Sequence, residues 1–470
     1  MDRLTPLLVT VVLSAAFALT GCVVVERQAS HLAIPSSWQN GSAGRQALDV
    51  KALSAWWRGF GDSTLDRLIT LAFEGNTDVR AAMARIDESR AQRGVTKSAL
   101  LPSVGASTTS RADWSRDSQG GSTTESSSDT LSAGIDASWE IDLFGKLRQD
   151  LRASDADLAE IEENLNSVRV SLAAEVADAY VTLRTAESRL AVYRRNVATS
   201  EDTAEMTRWQ EQAGEGTALS TQQAKSTLEQ ARSAIPTIQK TIGQTKNRLA
   251  LLAGLTPGSL DSLLGSDRSS IPTPSSAWSA GIPADVLRQR PDIRAAESAF
   301  IASVARTKSA EREQLPSLTL SGTFSVESLS TGSIFSPEIL AANAIGQLTA
   351  PIFQGGRIRE NIHLQSAREK QALIAWEAAV LGALSEVEDA LIAVRRTAEQ
   401  VDILEVAVAS AREAEELARL NYQAGEIDLL EVLVTQRTLL SVEESRAIAL
   451  GDQAAAHIQL YKALGGGWEN

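Results

Sequence analysis

One cysteine, Cys22, and three histidines, His31, His363 and His457, are all that this 470-residue chain holds of those two residue types. A single thiol makes no internal disulfide and no Cys-rich zinc site. The chain also lacks a Walker loop, a GxSxG elbow, an HExxH pair and a Cys/His cluster. An enzyme is therefore not expected, and neither is a metal or other cofactor. Aromatic residues are only 4% although hydrophobic residues reach 43%, so alanine carries much of the apolar fraction. Alanine mixed with Glu, Arg, Leu and Gln favours long, closely packed helices. Basic charge is short as well. The 45 Lys and Arg face 59 Asp and Glu, and the net charge of −14 disfavours nucleic acid as a partner. No run after Cys22 is long and apolar enough for a transmembrane helix. If the chain crosses a membrane, it does so with strands.

What is present begins with an N-terminal leader. Arg3 and the terminal amine give a weak basic region, Leu7 to Leu19 is apolar, and Thr20 and Gly21 are small or polar. That pattern reads as an export signal over residues 1–21. The sequence LTGC resembles the lipobox of bacterial lipoproteins, in which cleavage precedes the Cys and acyl chains are added to it. Cys22 is then a covalent lipid handle, and three acyl chains exceed what stable anchoring requires. A plain signal peptide with an incidental Cys is the alternative.

The chain repeats itself. NTDVRAAMARIDESRAQRGVTKSALLPSVGAS (76–107) matches RPDIRAAESAFIASVARTKSAEREQLPSLTLS (290–321), EVADA (175–179) matches EVEDA (386–390), and AGE occurs at 213–215 and 424–426. This gives an acylated N-terminal segment (22–62), a first repeat (63–253), a Gly/Pro/Ser-rich linker (254–280), a second repeat (281–464) and a short tail (465–470). Each repeat reads helix, two strands, long helix, AGE break, helix. Helices are expected over 146–212, 217–252, 357–422 and 427–464. Val380, Leu384, Val387, Leu391, Val394, Ala398 and Val401 alternate steps of four and three, as do Leu158, Ile161, Leu165, Val168 and Leu172. Such spacing means a coiled-coil-like seam. Residues 146–212 contain no Pro or Gly and extend roughly 100 Å as one helix, so the rod needs lateral partners.

Between the helices the period changes to two. Over 131–143, Leu131, Ala133, Ile135, Ala137, Trp139, Ile141 and Leu143 share one face, opposite Ser132, Asp136, Ser138, Glu140 and Asp142. Residues 316–327 alternate likewise, and 103–114 and 342–353 do so more weakly. About ten alternating residues suit a membrane-spanning strand. They equally suit a half-buried sheet on a soluble core. Four strands cannot close a barrel, and an open edge is not tolerated in lipid. Membrane strands here would need several copies of the chain to share one barrel.

WWRGFGDSTLDRLI (56–69), ASWEIDLFGKLR (137–148), LRQRPDIRAAE (287–297), APIFQGGRIR (350–359) and YKALGGGW (461–468) together resemble outer-membrane factors of the TolC/OprM type, in the NodT-like lipoprotein branch. The resemblance implies a mixed α and β membrane protein: a homotrimer whose four strands per chain form a twelve-stranded barrel, continued by an α-helical periplasmic tunnel. It implies the outer membrane of a Gram-negative bacterium and a passive conduit for small molecules. The partners would be a periplasmic adaptor and an inner-membrane pump, of the RND type. In that setting Asp136 and Glu140 suggest an acidic lumen; as scattered carboxylates they also simply aid solubility. The segment AGEIDLLEVLVTQRTLL (424–440) matches the family's periplasmic gate. Leu430 and Arg437 match its Leu and Arg, but Val434 replaces its Asp. Apolar rings of Leu430 and Val434 are the expected substitute, with charge supplied by Glu431 and Asp428. Ordinary helix packing accounts for the same five residues. Protein secretion by a type I exporter, or a lipid-anchored coiled-coil scaffold without a pore, are the rival functions.

Overall fold

The computed structural model describes residues 32–40, 50–119, 122–265, 270–274, 283–328 and 339–468; the leader, Cys22 and His31 lie outside them. In chain order the elements are α1 (Val50–Ser54), a 3-10 turn (Trp56–Phe60), α2 (Ser63–Gly75), α3 (Thr77–Ser98), β1 (Ser103–Gln119), β2 (Ser122–Ile141), α4 (Lys146–Ala213), α5 (Ala218–Leu252), α6 (Asp261–Leu264), α7 (Pro283–Gln289), α8 (Pro291–Arg312), β3 (Ser317–Ser328), β4 (Ile339–Thr349), α9 (Arg357–Gln423) and α10 (Leu429–Ala463). The described residues are thus mostly helical, with one four-stranded sheet among them. Two compact units divide it. One holds Arg85–Ile161 and Ala295–Trp376; the other holds Leu32–Ala84, Glu162–Arg294 and the chain from Glu377 onward.

The first unit carries the sheet. Its strands are antiparallel in the order β1-β2-β3-β4, so β1 and β4 are edges. β2 ends at Ile141, short of the alternating stretch that runs to Leu143. Asp142 leaves the strand because its carboxylate caps α4, accepting from the N–H groups of Leu147 (3.3 Å) and Arg148 (3.0 Å). β4 likewise ends at Thr349, where Pro351 cannot continue a ladder. In the other direction β1 and β2 run on past the alternation to a hairpin of 17 and 20 residues. Among the described residues no helix is long and apolar enough to cross a membrane.

In the second unit the turn before α2 meets the end of α10. Trp56 is fully buried and stacks on Tyr461 at 5.0 Å, with Trp57 and Phe60 packed edge-on against it. The glycines after α10 allow this docking: a Cβ on Gly466 would lie 2.8 Å from the Leu53 side chain, and Gly467 N–H donates to Leu53 O. A buried polar network pins further segments to α4. Arg184 donates to Glu187 (2.5 Å) and to the Leu264 carbonyl (3.1 Å), and its guanidinium lies over the Tyr180 ring. Tyr180 Oη donates in turn to Asp62, which caps α2 through the Thr64 and Leu65 N–H groups. One bond recurs at matching places of the two halves: Asn76 Nδ2 to Leu252 O and Arg290 Nη1 to Ala463 O, both 2.9 Å.

Candidate functional site

Two regions carry the candidate residues, one in each unit. In the sheet, register decides the chemistry of the faces. β2 aligns with β1 so that Ala137 and Ile135 lie opposite Val104 and Ala106. β3 then sets Leu318, Leu320, Phe324 and Val326 against Ile141, Trp139, Ile135 and Ala133. β4 adds Leu348, Ala344, Ala342 and Leu340 to the same row. All four strands therefore place their apolar sets on one face, and many of these side chains are exposed in the single chain. A one-residue slip of any strand would break that face.

Asp136 and Glu140 occupy the opposite, polar row, beside Thr323 and Thr319 of β3. The Asp136 carboxylate rests over Gly105, where a Cβ would approach it to 2.8 Å, and accepts a 3.4 Å bond from Ser107 Oγ. Ile345 of β4 falls in this polar row as well, opposite Ser321, so the alternation is imperfect there.

The second region lies at the two AGE breaks. Gly214 and Gly425 adopt φ of 79° and 78°, the left-handed conformation that ends a helix and favours glycine. The following N–H groups turn back in the same way, Glu215 to Gln210 O and Glu426 to Asn421 O, both 2.9 Å. After the second break Asp428 stands at the N-cap of α10 without a side-chain cap bond. Leu429 and Leu433 are buried against Ala224 of α5, with Ala204 and Tyr422 packed beside them.

Leu430, Glu431, Val434, Arg437 and Asp428 all remain exposed, Leu430 at 54% and Val434 at 45%. Leu430, Val434 and Arg437 follow i, i+4, i+7 spacing on one face of α10, turned away from that small core. Arg437 Nε folds back on its own helix to the Leu433 carbonyl at 3.2 Å. It forms no ion pair with Glu431 or Asp428.

Sequence reasoning missed the bonds that hold this end together. Tyr422 Oη donates to Gln210 Oε1 at 2.7 Å, and buried Gln436 donates to Thr203 Oγ1 at 3.0 Å, tying α9 and α10 to α4. Higher on the same helices Glu444 accepts from Arg189 (2.5 Å) and Tyr193 (2.9 Å), and Glu443 from Arg412 (2.5 Å). Burial, and then the Glu444 carboxylate, push the Tyr193 hydroxyl above its usual pKa. The only signal was negative: buried Gln436 and Thr203 sit where an apolar period would place aliphatic residues. Of the histidines, His457 bonds Gln453 O of its own helix. No cluster of metal-ligating side chains occurs among the described residues.

A four-stranded sheet and helices of up to 68 residues make up this chain. The model for the outer membrane efflux protein family matches residues 68–255 and 282–466. The chain belongs to the outer membrane efflux protein family. Its relatives include the pyoverdine export outer membrane protein OpmQ of Pseudomonas aeruginosa, 31% identical over 94% of this chain and 93% of that protein. The cation efflux system protein CusC of Escherichia coli is 29% identical over 96% and 98%. Among solved structures, the outer-membrane channel OprN superposes with a TM-score of 0.85 at 29% identity, over 95% of this chain and 99% of that one. The chain is an outer-membrane channel component of an efflux system.

Proposed function

We propose that the chain works as a trimer, in which three four-stranded sheets close one twelve-stranded barrel and the long helices continue it as a periplasmic tunnel. The observation that carries this is the open sheet. Its apolar face needs lipid, yet the β1 and β4 edges leave backbone groups that a bilayer does not tolerate unpaired. Only further copies of the same sheet supply the missing strands. The helices support the same reading. Leu381, Ile392 and Ile403 of α9 are exposed at eleven-residue spacing, close to three full helical turns, and form a stripe for a neighbouring copy. The matched Asn76 and Arg290 bonds favour an internal duplication.

The conduit is passive, and an inner-membrane pump of the RND type with its periplasmic adaptor supplies cargo and energy. Asp136 and Glu140 line the lumen of the barrel and favour cations. Leu430 and Val434 close the periplasmic end as apolar rings, with Glu431, Asp428 and Arg437 around them. Opening separates helices held by the Tyr422–Gln210 and Glu444–Arg189 bonds, and the adaptor favours it by contacting the open state better. Cys22 carries the lipid. Further along the chain, the Gln39 and Asn40 N–H groups donate to Glu388, at 2.6 and 3.1 Å.

The test is the native mass of the protein extracted in detergent from separated membranes. Three chains from the outer membrane are expected. A monomer, or release without detergent, would mean that the strands do not span a bilayer.

A further inference from the structure

The apolar row of the sheet stops at Leu131 on β2 and Val326 on β3, but the β1–β2 ribbon goes on. Beyond Leu131 the same row of β2 holds Asp129, Ser127 and Glu125. Opposite them β1 holds Ala112, Trp114 and Arg116. β3 is described as far as Ser328, paired with Leu131, and among the described residues no strand pairs with the β2 side of the extension. Trp114 is 66% exposed on this otherwise polar surface. Arg116 and Glu125 form a 3.4 Å ion pair beside it. Ser127 and Asp129 make no side-chain hydrogen bond among the described residues.

We propose that Trp114, with Arg116, Glu125, Ser127 and Asp129, is a saccharide contact, and that its occupant is the sugar headgroup of the glycolipid in the outer leaflet. The inference rests on the sheet crossing the bilayer with its β1–β2 turn outside. Three features of the patch point to this occupant. The row is continuous with the lipid-facing row, so the patch begins where acyl chains end and headgroups start. An exposed indole offers a flat apolar face for the C–H side of a pyranose ring, while Ser127 and Asp129 accept from sugar hydroxyls. The one cation, Arg116, is already neutralised by Glu125, so the patch suits hydroxyl-rich rings better than a phosphate cluster.

The experiment uses the full-length channel in phosphatidylethanolamine vesicles, with and without rough-type lipopolysaccharide that keeps its core sugars. Binding of fluorescently labelled lipopolysaccharide is compared among the native protein, Trp114→Ala and Trp114→Tyr. Trp114→Ala is expected to weaken binding about threefold to tenfold, the worth of one aromatic contact. Trp114→Tyr is expected to restore most of it, with insertion into sugar-free vesicles unchanged throughout. Equal affinity of Trp114→Ala and the native protein overturns the proposal. So does impaired insertion of Trp114→Ala into sugar-free vesicles, which would make Trp114 a general interfacial anchor. Failure of every form to insert into any vesicle points instead at the membrane-spanning reading itself.

Discussion

Replacing Tyr422 by Phe isolates one bond at the converging helix ends. The ring that packs beside Leu429 and Leu433 is kept, and only the 2.7 Å hydrogen bond to Gln210 Oε1 is lost. Both residues are half-buried, so the freed amide oxygen retains access to water and no buried acceptor is orphaned. The loss is therefore that of one neutral hydrogen bond, about 1 kcal/mol, or about fivefold in the closed-to-open ratio of a single copy. In the proposed trimer, three copies opening together would lose three such bonds, a shift on the order of a hundredfold. Single-channel recording of the reconstituted protein reads this as the fraction of time spent open. Gln210→Ala should raise that fraction similarly, and the double variant should add little, because both remove the same bond. An unchanged open fraction in Tyr422→Phe would refute the reasoning, as would full additivity of the two substitutions.

Three other outcomes are expected. Glu431→Gln removes an exposed carboxylate next to Leu430 and should make the open pore less cation-selective by reversal potential; an unchanged value excludes Glu431 from the lumen wall. Gly254→Ala should cost at least about 2 kcal/mol in thermal unfolding, whereas Gly425→Ala should cost about 1 kcal/mol. Gly254 has φ of 68° and its Cβ would lie 2.1 Å from the Gly75 carbonyl oxygen, while Gly425 faces open space. Equal melting temperatures for the two variants would contradict this. Burial, and then the bond to Asp62, push the Tyr180 hydroxyl up to about 12, against the opposing pull of Arg184. The stability it contributes is intact below the unfolded tyrosine value near 10 and disappears as pH rises through about 12. Tyrosinate absorbance should show one ionisation near 12 that Tyr180→Phe removes; ionisation of every tyrosine near 10 would count against it.

Much of the architecture is legible because it is written in short-range pattern. The absence of Pro and Gly between Lys146 and Gln212 fits the 68-residue helix α4, and the buried or half-buried Val380, Leu384, Val387 and Val401 follow the spacing of the seam. Asp142 shows the limit of that pattern. It continues the alternation of β2, yet a helix N-terminus that begins four residues on offers its carboxylate two N–H groups, and the cap prevails over the strand. The part of the hairpin beyond Trp114 on β1 and before Leu131 on β2 was hidden for a related reason. Polar residues such as Ser115, Ser126 and Ser128 share the ribbon with Arg116 and Glu125, all exposed in the single chain, so no period of two is imposed on it.

Local sequence pattern determined the mostly helical character, the four alternating segments and the glycine breaks, since each depends only on residues near one another in the chain. Tertiary structure alone decided which alternating faces coincide. The joining of Asp136 to Gly105, Tyr422 to Gln210 and Gln436 to Thr203 was decided there too, as was the placing of Trp56 under Tyr461. Those partners are far apart along the chain. Their meeting follows from register and helix packing, which many weak contacts fix together and no local pattern records.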